Sequence, residues 1–247
     1  MTLFAIFADI HSNREALDAC LTDARARGAE RFVFLGDLVG YGADPGYVVD
    51  LVADMRNEDA YVIKGNHDAA IAQTSNAMNA YAREACDWTR DQLNGAQKDF
   101  LAQLPLTADS GETLFVHAEA SRPEHWNYIT HSFEAERSMR ATQKRVTICG
   151  HVHRPQLYIQ KGQSLPVCFI PETGGPIMLA PECKCLAVVG SVGQPRDEIP
   201  DAAYALYDDA RALLTFLRAS YDIEAAARKI RAAGLPAILA ARLHMGR

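Results

Sequence analysis

Five short strings carry the residues with chemistry to offer: Asp9-Ile10-His11, Gly36-Asp37, Gly65-Asn66-His67-Asp68, His117, and Gly150-His151-Val152-His153. They contain five of the chain's eight histidines, which is too many for chance turn residues. Imidazole is a common ligand for zinc-like ions and carboxylate oxygen suits harder ions, so a mixed set suits intermediate first-row metals. Metal-assisted chemistry is therefore the first reading. In extended chain, residues i and i+2 point the same way, so Asp9 with His11, and His151 with His153, can each aim two ligands at one cluster. Glycine precedes Asp37, Asn66 and His151, where the missing Cβ lets backbone approach a crowded ionic site. Each string alone is weak evidence. Gly-Asp closes many turns, a lone His117 after an apolar strand is ordinarily a satisfied core residue, and Asp68 reads equally well as a helix N-cap. All five in order, each at a strand end, have no comparable structural explanation.

The elements that must position them can be read from periodicity. Apolar, β-rich runs at residues 3–8, 31–35, 60–63, 113–116 and 145–149 each end on one of the strings, and helical segments separate the first three. In an α/β sheet the carboxyl ends of the strands are where ligands bind. The first helix is announced by the capping pair Ser12-Asn13, an apolar face of Leu17, Cys20, Leu21 and Ala24, and the stop Gly28. Residues 46–56 predict a second helix. Two more are expected over 77–93 and 96–104, divided by Asn94-Gly95 and closed by Pro105, as a helical cap inserted at 77–104 into a single domain spanning 1–247. From Gln156 the texture changes to strands at 156–161, 165–170, 184–189, 203–208 and 212–219, the second half of a two-sheet core. Residues 222–234 and 236–245 predict two closing helices, with Arg228, Lys229, Arg231 and Arg242 as a solvated face.

Composition narrows the classes. At 247 residues and 49% hydrophobic, the chain buries enough of its surface, about 70–75% for this size, to need no structural metal or disulfide. Any metal would be functional. Six cysteines without CxxC spacing read as reduced thiols, with Cys183-Lys184-Cys185 the one close pair. The apolar stretch 3–8 is too short to cross a bilayer and runs straight into Asp9, so no membrane partner is expected and the compartment reads as cytoplasmic. A net charge of −6 argues against a general nucleic-acid binder.

In order and spacing the five strings resemble the signature of the calcineurin-like metallophosphoesterase superfamily, in its branch of small bacterial phosphodiesterases; Gly190-Ser191-Val192-Gly193 extends the match. The resemblance implies an α/β fold, a four-layer αββα sandwich of two mixed β-sheets flanked by helices. It also implies an enzyme that hydrolyses a phosphate ester with two divalent ions, manganese foremost and iron, zinc, cobalt, nickel or magnesium as alternatives. Carried over by position, one ion would take Asp9, His11, Asp37 and His153. The other would take Asp37, Asn66, His117 and His151, so that Asp37 bridges. Two such ions bring about +4, and two carboxylates with a bridging hydroxide return about −3, which leaves a positive site in an acidic protein. Paired ions about 3.5–4 Å apart lower the pKa of bound water and stabilise attacking and leaving oxygens. His67, left over from the ligand set, is implied to protonate the leaving oxygen or stabilise the transition state, with Asp68 as its orienting partner.

Departures from the signature bear on substrate. Phosphoprotein phosphatases of this superfamily carry Gly-Asp-x-Val-Asp-Arg-Gly and Gly-Asn-His-Glu, whereas here Tyr41 stands at the arginine and Asp68 at the glutamate. That counts against a protein phosphatase or a symmetrical diadenosine-tetraphosphatase. Ala118 follows His117 where relatives commonly have Gly, and Val188-Val189-Gly190-Ser191 replaces a frequent Asn-Pro-Gly-Ser. Substrate-facing candidates are Tyr41, Arg122, His125, Trp126, Arg154 and Arg196, and a Trp in the 121–128 loop can stack on a nucleobase. The expected partner is a small, nucleotide-like phosphate ester, with an oligomer left open. An asymmetrical dinucleoside-polyphosphate hydrolase, a phosphomonoesterase and a catalytically weak interaction scaffold are alternatives; His67 and seven intact ligands weigh against the scaffold. A polymer nuclease ranks lower, for want of a basic groove.

Overall fold

The computed structural model describes residues 2–72 and 78–247. Strands β1 (Leu3–Phe7), β2 (Arg31–Phe34) and β3 (Tyr61–Val62) alternate with helices α1 (Arg14–Ala26), α2 (Pro45–Asn57) and α3 (Asn66–Ala72). The three strands are parallel, with Phe7 beside Phe34 and Phe34 beside Val62, so their carboxyl ends coincide. Next come α4 (Ala80–Gln92), α5 (Gly95–Ala102), β4 (Thr107–Ser110), β5 (Thr113–Val116), α6 (Ser132–Arg140) and β6 (Val146–Cys149). The remainder is β7 (Gln156–Lys161), β8 (Val167–Phe169), β9 (Pro176–Met178), β10 (Cys183–Val188), β11 (Ala202–Asp208), β12 (Leu213–Ala219), α7 (Ile223–Ala232) and α8 (Ala237–Met245). Two six-stranded mixed sheets result, ordered β3-β2-β1-β11-β12-β9 and β4-β5-β6-β10-β7-β8.

The layering follows from strand alternation. Phe4, Ile6 and Ala8 turn toward the second sheet and pack with Phe115, Val146, Ile148 and Ala187. Ala5 and Phe7 turn the other way, onto Leu17, Cys20 and Leu21 of α1 and Val48, Val49 and Val52 of α2. A strand buried on both faces reads as a continuous apolar run, which is what residues 3–8 are. On the far side Ala135 and Met139 of α6 cover Val116, Cys149, Tyr158 and Leu186. The expected four-layer sandwich of two mixed sheets is borne out.

Several elements differ from the sequence reading. Strands β4 and β9 and helices α3 and α6 carry no clear apolar period: β4 is Thr-Ala-Asp-Ser, and in α6 the large Phe133 is 74% exposed while Ala135 and Met139 are buried. The strand expected at 165–170 shortens to Val167–Phe169. Of the helices expected over 77–104, α4 begins at Ala80, and residue 77 lies outside the described residues. Asn13 caps α1 by accepting from the Ala16 N–H at 3.1 Å. Cys183 and Cys185 are both buried in the intersheet core, a packing role. Among the described residues no helix is long and apolar enough to cross a membrane.

Candidate metal centre

The strand ends are laced together by backbone before any side chain acts. The Asp9 N–H donates to the Gly36 carbonyl (3.1 Å), His11 N–H to Asp37 O (2.9 Å), and Gly193 N–H to Asp9 O (2.9 Å). The Ser191 hydroxyl also donates to Asp9 O, at 2.8 Å. Such close lacing leaves no room for Cβ atoms: one on Gly36 would strike the Gly65 backbone, one on Gly65 would strike Asp37, and one on Gly150 would lie 2.6 Å from Asp9 Oδ2. Asp9, His11, Asp37, His151 and His153 hold φ between 49° and 67°, a left-handed backbone that costs non-glycine residues on the order of 1–3 kcal/mol each. Strain is thus concentrated on the residues that face the centre.

Three groups of side chains converge there: Asp9, His11 and His153; His11, Asp37 and His67; Asp37, His117 and His151. Within the first, His11 Nε2 lies 3.1 Å from His153 Nε2, which is 3.4 Å from Asp9 Oδ1. Within the third, His117 Nε2 lies 3.1 Å from His151 Nδ1 and 3.2 Å from Asn66 Oδ1. Asp37 Oδ2 sits 3.7 Å from His11 Nε2 and 3.5 Å from His117 Nε2, so one oxygen stands between the two groups.

Protonation states decide what these contacts are. The Nδ1 atoms of His11, His117 and His153 face the carbonyls of Val39 (3.1 Å), Leu35 (2.7 Å) and Gln194 (2.6 Å). A carbonyl only accepts, so each Nδ1 carries the ring proton and each Nε2 presents a lone pair. His11 and His153 therefore do not hydrogen-bond to each other; two acceptors face each other at 3.1 Å. Asp9 Oδ1 is buried with no hydrogen-bond partner. Lone pairs without donors, fully buried, are the donor set of a cation, and Nδ1–H to carbonyl bonds are the usual outer support of a metal-binding histidine.

A model of the calcineurin-like phosphoesterase superfamily domain matches residues 1–210. The chain belongs to that superfamily. It is 34% identical to the uncharacterized protein MJ0912 of Methanocaldococcus jannaschii, over all of this chain and 99% of the relative. A metallophosphoesterase from Sphaerobacter thermophilus superposes with TM-score 0.88 at 31% identity, covering 100% and 99% of the two chains. A hypothetical protein, PH1004 of Pyrococcus horikoshii OT3, shares the fold at TM-score 0.80 and 18% identity, with the same coverage. The protein is thus a metal-dependent phosphoesterase.

The electrostatics of this phosphoesterase site fit a cation. Burial, then the neighbouring Asp37 charge, raises the Asp9 carboxyl well above its ordinary range. Burial pushes Asp37 up to about 7, against the His67 N–H bond and the Arg196 charge, which pull it down. Burial also holds His11, His151 and His153 well below the ordinary imidazole range, and takes His117 to about 4. Neutral imidazoles beside carboxyls reluctant to ionise alone are primed for divalent ions.

Asp68 behaves differently from the sequence expectation. Its Oδ1 accepts from the N–H groups of Leu38 (2.9 Å) and Val39 (3.3 Å), and its Oδ2 from Gly65 N–H (2.9 Å). It staples the loop carrying Asp37 to the turn carrying Asn66, and does not orient the His67 ring. That ring sits against His11 and Tyr41 (centroids 4.8 and 4.6 Å), and its Nδ1 lies 3.4 Å from Cys86 Sγ of α4.

Of the substrate candidates, Tyr41 is 5% exposed and packs at 4.6 Å on His11, with the Arg196 Cζ 5.8 Å above its ring. Trp126 meets His117 edge-on at 5.8 Å. Arg154 is exposed and donates through Nε to the Arg196 carbonyl at 2.5 Å. Arg122 and His125 are exposed on the same loop as Trp126, with His125 beside Glu124. Three residues escaped the sequence reading. Tyr128 stacks on His151 at 4.1 Å, Cys86 touches His67, and buried Glu119 accepts from Ser121 and Asn127 and so pins the loop that holds Trp126 and Tyr128. Only Tyr128 carried a cue, since it lies in the loop already marked for its Trp.

Proposed function

We propose that the protein is a dinuclear phosphoesterase that hydrolyses a small, nucleotide-like phosphodiester. The observation that carries this reading is the single Asp37 oxygen within 3.7 Å of His11 Nε2 and 3.5 Å of His117 Nε2, flanked on both sides by acceptor atoms. Asp9, His11, Asp37 and His153 would hold one ion, and Asp37, Asn66, His117 and His151 the other, with manganese the leading choice for a mixed nitrogen and oxygen set. Two such ions supply positive charge for the phosphoryl oxygens and make the attacking water acidic near neutral pH.

The chain's own residues do the rest. Burial, then Arg196, takes His67 down to about 3, so its ring is neutral at working pH and can give an N–H hydrogen bond, not a proton, to the charge that develops on the leaving oxygen. Tyr41 packs on His11, Tyr128 on His151 and Trp126 on His117, and the Arg196 charge acts on both tyrosine hydroxyls. Tyr128 is 51% exposed with one face on His151, which leaves aromatic surface beside the centre for a base to stack on.

Arg196 favours a second reading. The cation absent at position 41 is brought next to that residue from the loop after β10, and a guanidinium there suits a phosphomonoester dianion. The kcat/KM values for bis-p-nitrophenyl phosphate and p-nitrophenyl phosphate under the same manganese load separate the two. The diesterase reading expects the diester to equal or exceed the monoester, and a monoester preference of several orders of magnitude overturns it. Elemental analysis should find up to two ions per chain. Asp37→Ala should lose metal from both positions, whereas His67→Ala should keep metal and lose roughly 10²–10⁴-fold in rate.

A further inference from the structure

The outer edges of both sheets come together on one side of the molecule and are left bare. Strand β8 pairs only with β7, and β9 only with β12, among the described residues. Sheet edges on monomers are ordinarily protected by charge, proline or a covering element. This one carries Pro166, Pro171 and Pro176 yet is almost uncharged, and its large apolar side chains meet water: Leu165, Val167, Phe169, Ile170 and Met178 are 41, 57, 49, 75 and 70% exposed. With large apolar side chains presenting 150–250 Å² each, these five leave about 500 Å² in contact with water, at the upper end of what a monomer carries. Leu157, Ile159, Phe169, Ile170 and Ile177 line a groove of ≈ 400 Å³ between the two edges.

We infer that this face is a self-association surface, on which a second copy of the chain docks edge to edge about a two-fold axis. Three features select a second copy over another partner. A two-fold interface needs knob and hole on the same surface, and here Ile170 and Met178 protrude beside an apolar groove wide enough to receive a side chain. Charge selects the same occupant. Two copies at −6 each repel, yet from Gly162 to Ala180 the only charged residue is Glu172, on the groove wall, so here they meet with a single kind of like-charged contact between them. A basic partner would find only that one carboxylate on it. The area also suits: a standard interface takes about 800 Å² per partner, and the exposed Thr173, Gly174, Gly175 and Pro176 extend the apolar 500 Å² toward that figure.

Sedimentation velocity of the full chain across the micromolar range tests this. The wild-type protein should sediment as a dimer at the upper concentrations. Ile170→Glu and, separately, Met178→Glu should each weaken the dimer roughly 30-fold or more, as loss of a central anchor does. Both side chains are at least 70% exposed, so each variant should keep the wild-type thermal melt measured in the monomer range. A wild-type chain that stays monomeric throughout, or a dimer indifferent to both substitutions, overturns the inference.

Discussion

Replacing Gly150 by alanine tests whether close backbone packing, and not ligand identity alone, builds the centre. A Cβ on Gly150 would fall 2.5 Å from the Ala8 Cβ and 2.6 Å from Asp9 Oδ2. Ordinary carbon contacts need about 3.5–4.0 Å, so something must yield by about 1 Å. Ala8 is fully buried in the intersheet core and cannot retreat, whereas Asp9 ends in a side chain. The displacement therefore falls on the Gly150 backbone and on Asp9, whose Oδ2 also accepts from the His151 N–H at 2.8 Å and whose Oδ1 lies 3.4 Å from His153 Nε2. Overpacking of this kind costs about 1–3 kcal/mol. At about 2–4 °C per kcal/mol for a chain of this size, the melting temperature should fall by about 2–12 °C. A ligand moved by about 1 Å should cost on the order of 10²-fold in kcat/KM, with weakened metal retention. Gly95→Ala is the control: it opens α5, its Cβ would meet nothing within 4 Å, and it should stabilise slightly with activity unchanged. Scanning fluorimetry, metal content and turnover on a diester measure all three quantities. A Gly150→Ala enzyme with wild-type metal content and turnover would refute the packing argument.

Metal binding should depend on pH with a sign set by the carboxyls. Asp37, raised to about 7, contributes stability to the metal-free fold below the unfolded value of 3.8 and loses it as pH rises through 7, while a cation must displace its proton below 7. The gain in melting temperature on adding manganese should accordingly be larger at pH 8 than at pH 5.5, and equal gains would contradict the raised carboxyl. The histidines have lowered values, so their contribution is present above 6.5 and fades in acid, which should destabilise the metal-free protein again below pH 6.5. Cys86→Ala removes the side chain that, among the described residues, meets His67 Nδ1, so kcat should fall several-fold on esters with poor leaving groups while metal content holds; Cys86→Ser should restore most of it, and an unchanged leaving-group dependence in the alanine variant would exclude a positioning role.

The candidate ligand strings were legible because a metal-binding cluster at strand ends would constrain both residue type and spacing. Asp9 with His11 and His151 with His153 do converge at the expected i, i+2 spacing, though through left-handed backbone beyond the strand ends and not through extended chain, and the glycines before Asp37, Asn66 and His151 mark backbone contacts the structure makes explicit. The layers were legible for the same reason, since β1 buries both faces and must therefore be apolar throughout. What stayed hidden has no side-chain signature. The carbonyls of Val39, Leu35 and Gln194 fix the imidazole tautomers, and any residue type supplies a carbonyl. Helix α6 and strands β4 and β9 escaped because their apolar positions are too few to set a period.

Arg196 shows most plainly why a string comparison misjudges a site. Read along the chain, Tyr41 replaces an arginine and the site loses a cation. Read in space, the loop after β10 returns a guanidinium to the face of that same tyrosine ring, 5.8 Å away. Its field reaches Asp9 and Asp37 and pulls both carboxyls down, and it depresses His11, His67, His151 and His153 further. A single cation that favours ionised carboxyls and neutral imidazoles favours the protonation state a divalent ion needs from every ligand it can reach. Arg196 therefore has two tasks that one substitution separates. Arg196→Gln keeps a donor for a phosphate oxygen but removes a charge that repels the divalent ion as well as the competing protons, so manganese affinity should rise, and by more in alkali, where no proton has to be displaced, than near and below neutral pH. Isothermal titration at pH 6.5 and pH 8.5 measures this: the gain should be larger at the higher pH, and unchanged affinity at both would leave Arg196 a substrate contact alone.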